Sequence, residues 1–264
     1  MNQYDQFSLD YHWLYSDNIL SGKPFIEQFS YLLDSLPSGS LLLDCSCGIG
    51  VLTIALKQQG FSVWGSDLSP GMIARARERS AEKGIEIPYL ISAWKDLPTV
   101  FPNKFDLAFC LGNSIGHCSS REEMLASFQG IHTVLNRNGT LILDSRNWET
   151  ICCERKRFTT TGTRKRNGLQ CIPLYVWNFP KQFKEEHLIE VVFLFEDQGS
   201  VYERHYPITY HPYRYSELCE ILNESGFSDI KSDFDQDKDS YTITARNGYP
   251  SDEPNADTTP RRLS

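Results

Sequence analysis

The stretch Leu41-Leu42-Leu43-Asp44-Cys45-Ser46-Cys47-Gly48-Ile49-Gly50 decides how the rest of the chain is read. Three consecutive leucines make a short strand that is apolar on both faces, as a strand inside a parallel sheet must be. The strand ends at an aspartate and enters a turn with two glycines in three residues. Val51-Leu52-Thr53-Ile54-Ala55-Leu56 then opens an amphipathic helix. Glycine in such a turn lets the backbone pass close to a ligand, because no Cβ stands in the way. Strand, glycine turn and helix N-terminus form the nucleotide-cradling corner of a Rossmann-like sheet. The spacing is not G-x-G-x-x-G: Asp44 and Cys45 stand where a dinucleotide enzyme begins its glycines, which argues against an NAD-dependent oxidoreductase.

Downstream, strand-like and helical segments alternate regularly. Gly60 to Asp67 reads as a second strand ending in an acid, 23 residues after Asp44, close to the offset at which a carboxylate meets ribose hydroxyls. Asp67-Leu68-Ser69-Pro70 also has the form of a helix N-cap for Gly71 to Lys83, and both roles fit if Ser69 is the cap. Ile87 to Ser92 is a third strand, followed by a loop whose Trp94 and Asp96 are placed to pack on and hydrogen-bond to an adenine. Phe105 to Leu111 is a fourth strand, and Gly112-Asn113-Ser114-Ile115-Gly116-His117 forms a polar loop at the same sheet edge. A helix over 120–135, a turn at Asn136-Arg137-Asn138-Gly139 and a fifth strand over 140–144 lead into Ser145-Arg146-Asn147-Trp148. The pattern predicts an α/β protein with a doubly wound, Rossmann-like sheet.

On either side of this core the composition changes. Residues 1–40 are aromatic-rich, and 25–36 has helical periodicity before the Pro37-Ser38-Gly39 turn. This segment is expected to cover one sheet face and to fold over a ligand as a lid. The core proper spans 41–151. From Cys152 the residues alternate as antiparallel strands (165–173, 174–179, 188–195 and 201–209), so 152–210 reads as an antiparallel β insertion over the active site. Residues 211–246 return to the core with a helix at 216–225 and a strand at 240–246. The tail 247–264, rich in Pro, Asp, Asn and Thr, reads as disordered. Arg155-Lys156-Arg157 and Arg164-Lys165-Arg166 form a local basic patch, read as a solvated hairpin surface rather than an anion site.

With 264 residues, the chain accommodates one α/β domain plus an insertion. A formal charge of −8 gives no overall attraction to nucleic acid or an anionic membrane. No apolar run is long enough for a membrane span, and the N-terminus lacks the pattern of a secretory signal, so a cytoplasmic location is expected. Eight cysteines without a C-x-x-C pair read as reduced, mostly buried thiols, and no metal is expected.

At this point the residues meet a known family. Leu43 to Gly50 resembles the first motif of class I S-adenosylmethionine-dependent methyltransferases, and Asp67 resembles their ribose acid. Cys110 to His117 is similar to the “LGNS…H” loop of the glycine and glycine/sarcosine N-methyltransferases. Asp144 to Trp148 is similar to their “D-x-R-N-aromatic” segment, and Thr209-Tyr210-His211-Pro212 to their tyrosine-bearing strand; the spacing of Tyr4 to Trp13 is also reproduced. The resemblance implies S-adenosylmethionine as cofactor and S-adenosylhomocysteine as product. It implies cofactor contacts at Tyr4, Trp13, Asp44, Cys45, Gly48, Gly50, Asp67, Leu68, Met72, Ala93 and Trp94, with the Leu111 carbonyl meeting the methionine amine. Lys23 falls near the family's basic position for the methionine carboxylate, where arginine is usual. Arg146 inherits the clamp on an amino-acid carboxylate, Asn113 orients the substrate, and Tyr210 reaches in from the insertion.

Methyl transfer to a neutral amine needs alignment and exclusion of water more than a covalent nucleophile. Tyr4, Asn113 and Tyr210 offer oxygens to the amine, and His117 and His211 are candidate bases because each lies in a motif loop. The expected partner is a small amine or amino acid, glycine- or sarcosine-like or a natural-product amine. A small-molecule O-methyltransferase and a non-catalytic cofactor-binding module remain as alternatives.

Overall fold

The computed structural model describes residues 3–102 and 104–248. Its centre is a seven-stranded sheet in the order β11-β12-β5-β4-β1-β2-β3. The strands are β1 (Leu41–Asp44), β2 (Ser62–Asp67), β3 (Tyr89–Ile91), β4 (Phe105–Cys110), β5 (Leu135–Arg146), β11 (Phe227–Ser232) and β12 (Ser240–Asn247). The first five pair in parallel, while β12 is antiparallel to both β5 and β11. Five further strands, β6 (Phe158–Thr160), β7 (Arg164–Arg166), β8 (Leu169–Asn178), β9 (His187–Asp197) and β10 (Ser200–Tyr210), form a separate antiparallel sheet between β5 and β12 in the chain.

The leucine run shows why the sheet is covered on both faces. Leu42 packs on one side with Leu107, Phe109, Ile142 and the helical residues Phe29, Leu33, Leu52 and Leu56. Its neighbour Leu43 points the opposite way, into a larger core with Ala108, Leu141, Leu143, Phe128 and Ile131. Helices α3 (Lys23–Leu33) and α4 (Val51–Gln58) supply the first layer, and α7 (Arg121–Val134) belongs to the second. That second core continues without a break into the antiparallel sheet through Ile189, Val191, Phe193 and Ile208. Continuous burial ties the two sheets into one unit.

Helices α1 (Gln3–Phe7) and α2 (Asp17–Leu20) precede the core, and α5 (Pro70–Glu82) and α6 (Leu97–Val100) flank β3. Helix α8 (Trp148–Glu154) follows β5, and α9 (Tyr215–Glu224) precedes β11. Several boundaries differ from the sequence expectation. The strand expected over 140–144 begins at Leu135, so Asn136 to Gly139 lie inside β5 rather than in a turn. Asn138 takes a left-handed conformation there, the pairing with β4 shifts register, and Asn136 Nδ2 donates to Asp106 Oδ1 at 2.6 Å. A bulge therefore absorbs residues whose composition resembles a turn. Segments 165–173 and 174–179 are largely one strand, β8, because Pro173 is carried within it. Strand β11 and helix α8 have no counterpart in the sequence reading. β11 buries only Phe227, leaving no alternation to detect. Asn247, expected at the start of the disordered tail, instead ends β12 and donates through Nδ2 to the His132 and Leu135 carbonyls, and from residue 249 the tail lies outside the described residues. No helix among the described residues is long and apolar enough to cross a membrane.

The face of α7 meets the loop after β3 at Gly130, where an added Cβ would lie 2.8 Å from Lys95 Cα and 2.9 Å from the Trp94 carbonyl carbon. Gly130→Ala gains about 1 kcal/mol of helix propensity but forces these backbones apart, at about 1–3 kcal/mol. Thermal unfolding should show a lower midpoint for G130A, and an unchanged or higher midpoint would mean that the loop yields freely.

Candidate active site

A cavity of about 320 Å³ opens at the carboxyl edge of the sheet, beside β1 and β4. This is where the strand order reverses and where doubly wound sheets bind ligands. Its floor is the turn after β1, in which Gly48 (φ +50°) and Gly50 (φ +79°) adopt left-handed conformations. At Gly50 a Cβ would lie 2.8 Å from the Tyr89 hydroxyl, so packing beneath the turn requires glycine as much as the backbone does. Gly50 itself is not part of the lining. Asp44, Cys45, Gly48, Asp67, Leu68, Met72, Ala93, Trp94 and Leu111 are.

The two acids at the ends of β1 and β2 differ in setting. Asp67 Oδ2 accepts from Gly48 N and Oδ1 from Ser69 N, each at 2.9 Å, so the carboxylate braces the glycine turn against the start of α5. Each oxygen keeps a second lone pair for a ligand. Burial raises its pKa, opposed by the Ser69 and Gly48 hydrogen bonds. Ser69 caps α5 by accepting from Met72 N at 3.2 Å. Among the described residues Asp44 has only a long contact, 3.4 Å from Ser46 N, and burial pushes it up to about 8, with the Asp67 charge adding to the effect. A buried carboxyl so poorly paired is a natural partner for a cationic group of a ligand. Trp94 is locked by donating its indole N–H to the Cys45 carbonyl at 2.8 Å. The carbonyl of Leu111 already accepts from Ser46 Oγ at 2.9 Å and Ser114 Oγ at 2.6 Å, which leaves no open lone pair for an amine.

The roof comes from the N-terminal segment: Gln3, Tyr4, Tyr11, Tyr15 and Ile19 line the cavity. Tyr4 O–H lies 2.8 Å from His117 Nε2, and His117 Nδ1 lies 2.9 Å from the Thr209 carbonyl. A carbonyl only accepts, so Nδ1 carries the proton and Nε2 accepts from Tyr4. Burial, opposed by the Thr209 hydrogen bond and reinforced by the Arg146 charge, pulls the pKa of His117 down to about 4. The ring is neutral at physiological pH.

Behind this wall, outside the cavity lining, lie Asn113, Arg146 and Tyr210. Tyr210 stacks on His117 with centroids 4.4 Å apart. The Arg146 guanidinium carbon sits 5.2 Å from the Tyr210 ring, 5.0 Å from Trp177 and 5.5 Å from Tyr175. Among the described residues no carboxylate pairs with Arg146, and its buried Nη1 has no hydrogen-bond partner. Asn113, held in a left-handed conformation, accepts from Arg146 N through Oδ1 at 2.9 Å, while its buried Nδ2 is likewise unpartnered. Tyr175 and Trp177, which stand two residues apart on β8, were not singled out from the sequence. Their only signal there is alternation that puts both on one face.

Other expected residues stand elsewhere. The Lys23 ammonium is exposed and pairs with Glu27 at 3.6 Å, because Lys23 opens α3 and points to solvent. Trp13 is buried against Phe195 beneath the Arg166 guanidinium, in the core rather than the cavity. His211 donates its backbone N–H to Gly116 and turns its ring toward Glu186, 4.0 Å away. Asp96 ends a short turn outside the cavity lining. In the basic patch, Arg166 is an internal clamp: it donates to Asp17 Oδ1 and to the carbonyls of Tyr15 and His12.

The match to known proteins agrees with this architecture. A methyltransferase-domain family profile covers residues 42–139. A glycine/sarcosine N-methyltransferase from Aphanothece halophytica is 31% identical over 72% of this chain and 66% of its own length. One from Parasynechococcus marenigrum is 28% identical over 75% of this chain and 66% of its own length. The chain thus spans about two thirds of the curated relatives it matches. A solved S-adenosylmethionine-dependent methyltransferase from Clostridium acetobutylicum shares the fold, with a TM-score of 0.73 at 17% identity, over 94% of this chain and 100% of that one. The chain belongs to the class I S-adenosylmethionine-dependent methyltransferases. Within that family it is similar to the glycine/sarcosine N-methyltransferases. Its cofactor is S-adenosylmethionine, and the cavity suits one: a glycine turn, a carboxylate with lone pairs to spare for a diol, and an apolar slot of Leu68, Met72, Ala93 and Trp94 for a base.

Asp67→Asn replaces one acceptor oxygen by a donor facing a backbone N–H. The dissociation constant for S-adenosylhomocysteine should rise by about 10- to 100-fold, as for loss of charge-assisted hydrogen bonds. Titration calorimetry giving wild-type affinity would remove Asp67 from the cofactor site.

Proposed function

We propose that the protein methylates the nitrogen of a small amine that carries a carboxylate, an amino acid of the glycine or sarcosine kind. The observation that carries this reading is the pair of buried, unpartnered donors, Arg146 Nη1 and Asn113 Nδ2, joined through the bond from Arg146 N to Asn113 Oδ1. Leaving a buried donor unpaired costs about 1–3 kcal/mol, and more for a charged group. A carboxylate satisfies a guanidinium and an amide together. The names of the relatives from Aphanothece halophytica and Parasynechococcus marenigrum support the same substrate class.

Bound S-adenosylmethionine supplies an electrophilic methyl group on a sulfonium. The chain's contribution in this reading is placement. Arg146 holds the carboxylate, and the flanking rings of Tyr175, Trp177 and Tyr210 fix the plane of the guanidinium. Asn113 orients the acceptor from the facing loop. Tyr4 gives its proton to His117, which fixes the phenol in the cavity wall. His117 acts by holding Tyr4, while the His211 ring is turned toward Glu186 and is given no part in the transfer. The tyrosine wall excludes water, which makes alignment effective.

The deciding experiment is methyl transfer from labelled S-adenosylmethionine to a panel of glycine, sarcosine, dimethylglycine, other small amines, guanidino compounds and phenols. Turnover of carboxylate-bearing amines is the expected result. Turnover of phenols alone would replace the reading with O-methylation. Arg146→Ala should raise KM for the carboxylate substrate by about 100-fold, while cofactor affinity changes by no more than about threefold. Equal KM values in R146A and wild type would show that the acceptor makes no carboxylate contact there.

The pH profile provides a second check. His117 is neutral from about pH 5 upward, since it takes a proton only near 4. As pH rises, kcat/KM should therefore increase about tenfold per unit up to the pKa of the substrate ammonium, with no bend between pH 6 and 7. A bend in that window would indicate a histidine base.

A further inference from the structure

Asp10 is a buried carboxylate outside the cavity, and nothing in the chemistry above uses it. Its side chain is 5% exposed, and both oxygens are taken. Arg204 Nη1 donates to Oδ1 at 2.8 Å and to Oδ2 at 2.9 Å, and the Tyr206 hydroxyl donates to Oδ2 at 2.6 Å. Both donors stand on β10, two residues apart and so on one face of the strand. Arg204 is held flat by the rings of Phe195 and Tyr202. Next to the junction Phe7 stacks on Tyr206 with centroids 4.9 Å apart. A buried ion pair contributes little net stability, because desolvation offsets the attraction; what it does provide is a single geometry.

The geometry it sets is that of the cavity roof. Asp10 lies in the chain between Tyr4 on one side and Tyr11 and Tyr15 on the other, all three of which line the cavity. The same strand that grips Asp10 ends at Thr209 and Tyr210, the partners of His117. From Arg204 to Tyr210 it runs as regular ladder with β9, roughly 20 Å of stiff connection. On the opposite side the segment rests on the nucleotide half, where Asp5 Oδ1 accepts from Ser69 Oγ at 2.7 Å and Arg79 donates to the Leu20 carbonyl at 3.3 Å. The roof is thus fastened at once to the half that holds the cofactor and to the half that carries Tyr175, Trp177 and Tyr210.

We propose that the Asp10–Arg204–Tyr206 junction positions the tyrosine roof over the cofactor, and that it must open for S-adenosylhomocysteine to leave. Asp10 is a positioning residue in this scheme, acting through Tyr4, Tyr11 and Tyr15. The inference depends on the cofactor site alone and holds whatever the methyl acceptor is.

The test measures the dissociation rate of labelled S-adenosylhomocysteine from the full-length protein by rapid filtration, in wild type, Asp10→Asn and Arg204→Gln. Arg204 is half-exposed, so R204Q keeps the test open if D10N fails to fold. Loss of the charged pair should speed release by about 10-fold in either variant, with R204K intermediate because it restores charge without the fork. KM for the cofactor should rise by a similar factor, while kcat at saturating cofactor changes less. Release within twofold of wild type in both variants overturns the proposal, and so does a lowered unfolding temperature with an unaltered release rate, which would make the junction a purely structural contact.

Discussion

Where the chain leaves β5, a buried knot ties the two sides of the site together. Asp144, the acid before the Ser145-Arg146 step, accepts from Asn113 N at 2.7 Å, and Asn113 Oδ1 accepts from Arg146 N at 2.9 Å. The carboxylate stands in the cavity wall, where partial burial raises its pKa against the opposing pull of the Asn113 and Gly112 N–H groups. Such a group is tolerable only where its acceptors are filled. Asn113 satisfies it by adopting a left-handed backbone, a conformation open to asparagine at less cost than to most residues. The loop after β4 is thereby fixed against the end of β5. Ser114, His117 and the aromatic rings beyond them take their places from that one constraint.

From this knot the rest of the site is built outward as layers of rings. His117 lies between Tyr4 and Tyr210, Tyr210 packs against Trp148, and Arg146 is set among Tyr175, Trp177 and Tyr210. Aromatic faces hold a guanidinium without neutralising it. That is how the fold keeps a cation with a buried donor still open, behind the wall of a cavity that is itself lined by Asp44 and Asp67. Acids therefore stand beside the glycine turn, and a cation without a carboxylate partner among the described residues stands beyond the tyrosine wall.

The nucleotide half was legible because its signals are local. A three-residue apolar run, two glycines at a turn and an acid at the end of the next strand each depend on a few adjacent positions, and the fold places Asp44, Gly48 and Asp67 together as that pattern implies. Residues assigned by spacing from such a signal fared less evenly. Lys23 was matched by position, yet the start of α3 turns its ammonium to solvent, and Trp13 serves the core beneath Arg166. Leu111 lies where expected, but two neighbouring hydroxyls occupy its carbonyl. Neither side-chain direction nor a competing hydrogen bond can be read from a count of residues. The bulged start of β5 shows the same limit: Asn136-Arg137-Asn138-Gly139 has turn composition, and only pairing with β4 and the Asp106 carboxylate holds it in the sheet.

By itself, the sequence determined the alternation of strands and helices, the glycine corner, the acids at the strand ends and the switch to antiparallel strands after β5. All of these follow from periodicities of two and 3.6 residues and from the backbone freedom of glycine. The tertiary structure alone decided which donors remain open. Whether Arg146 meets a carboxylate of its own chain or stays unpaired depends on groups brought from 29 to 64 residues away, Tyr175, Trp177 and Tyr210. It alone also decided that Asp10 and Arg204, 194 residues apart, close on each other. Burial and hydrogen-bond satisfaction are properties of the packed whole: a side chain's partners are set by what else fills the space, and nothing in its local sequence records that.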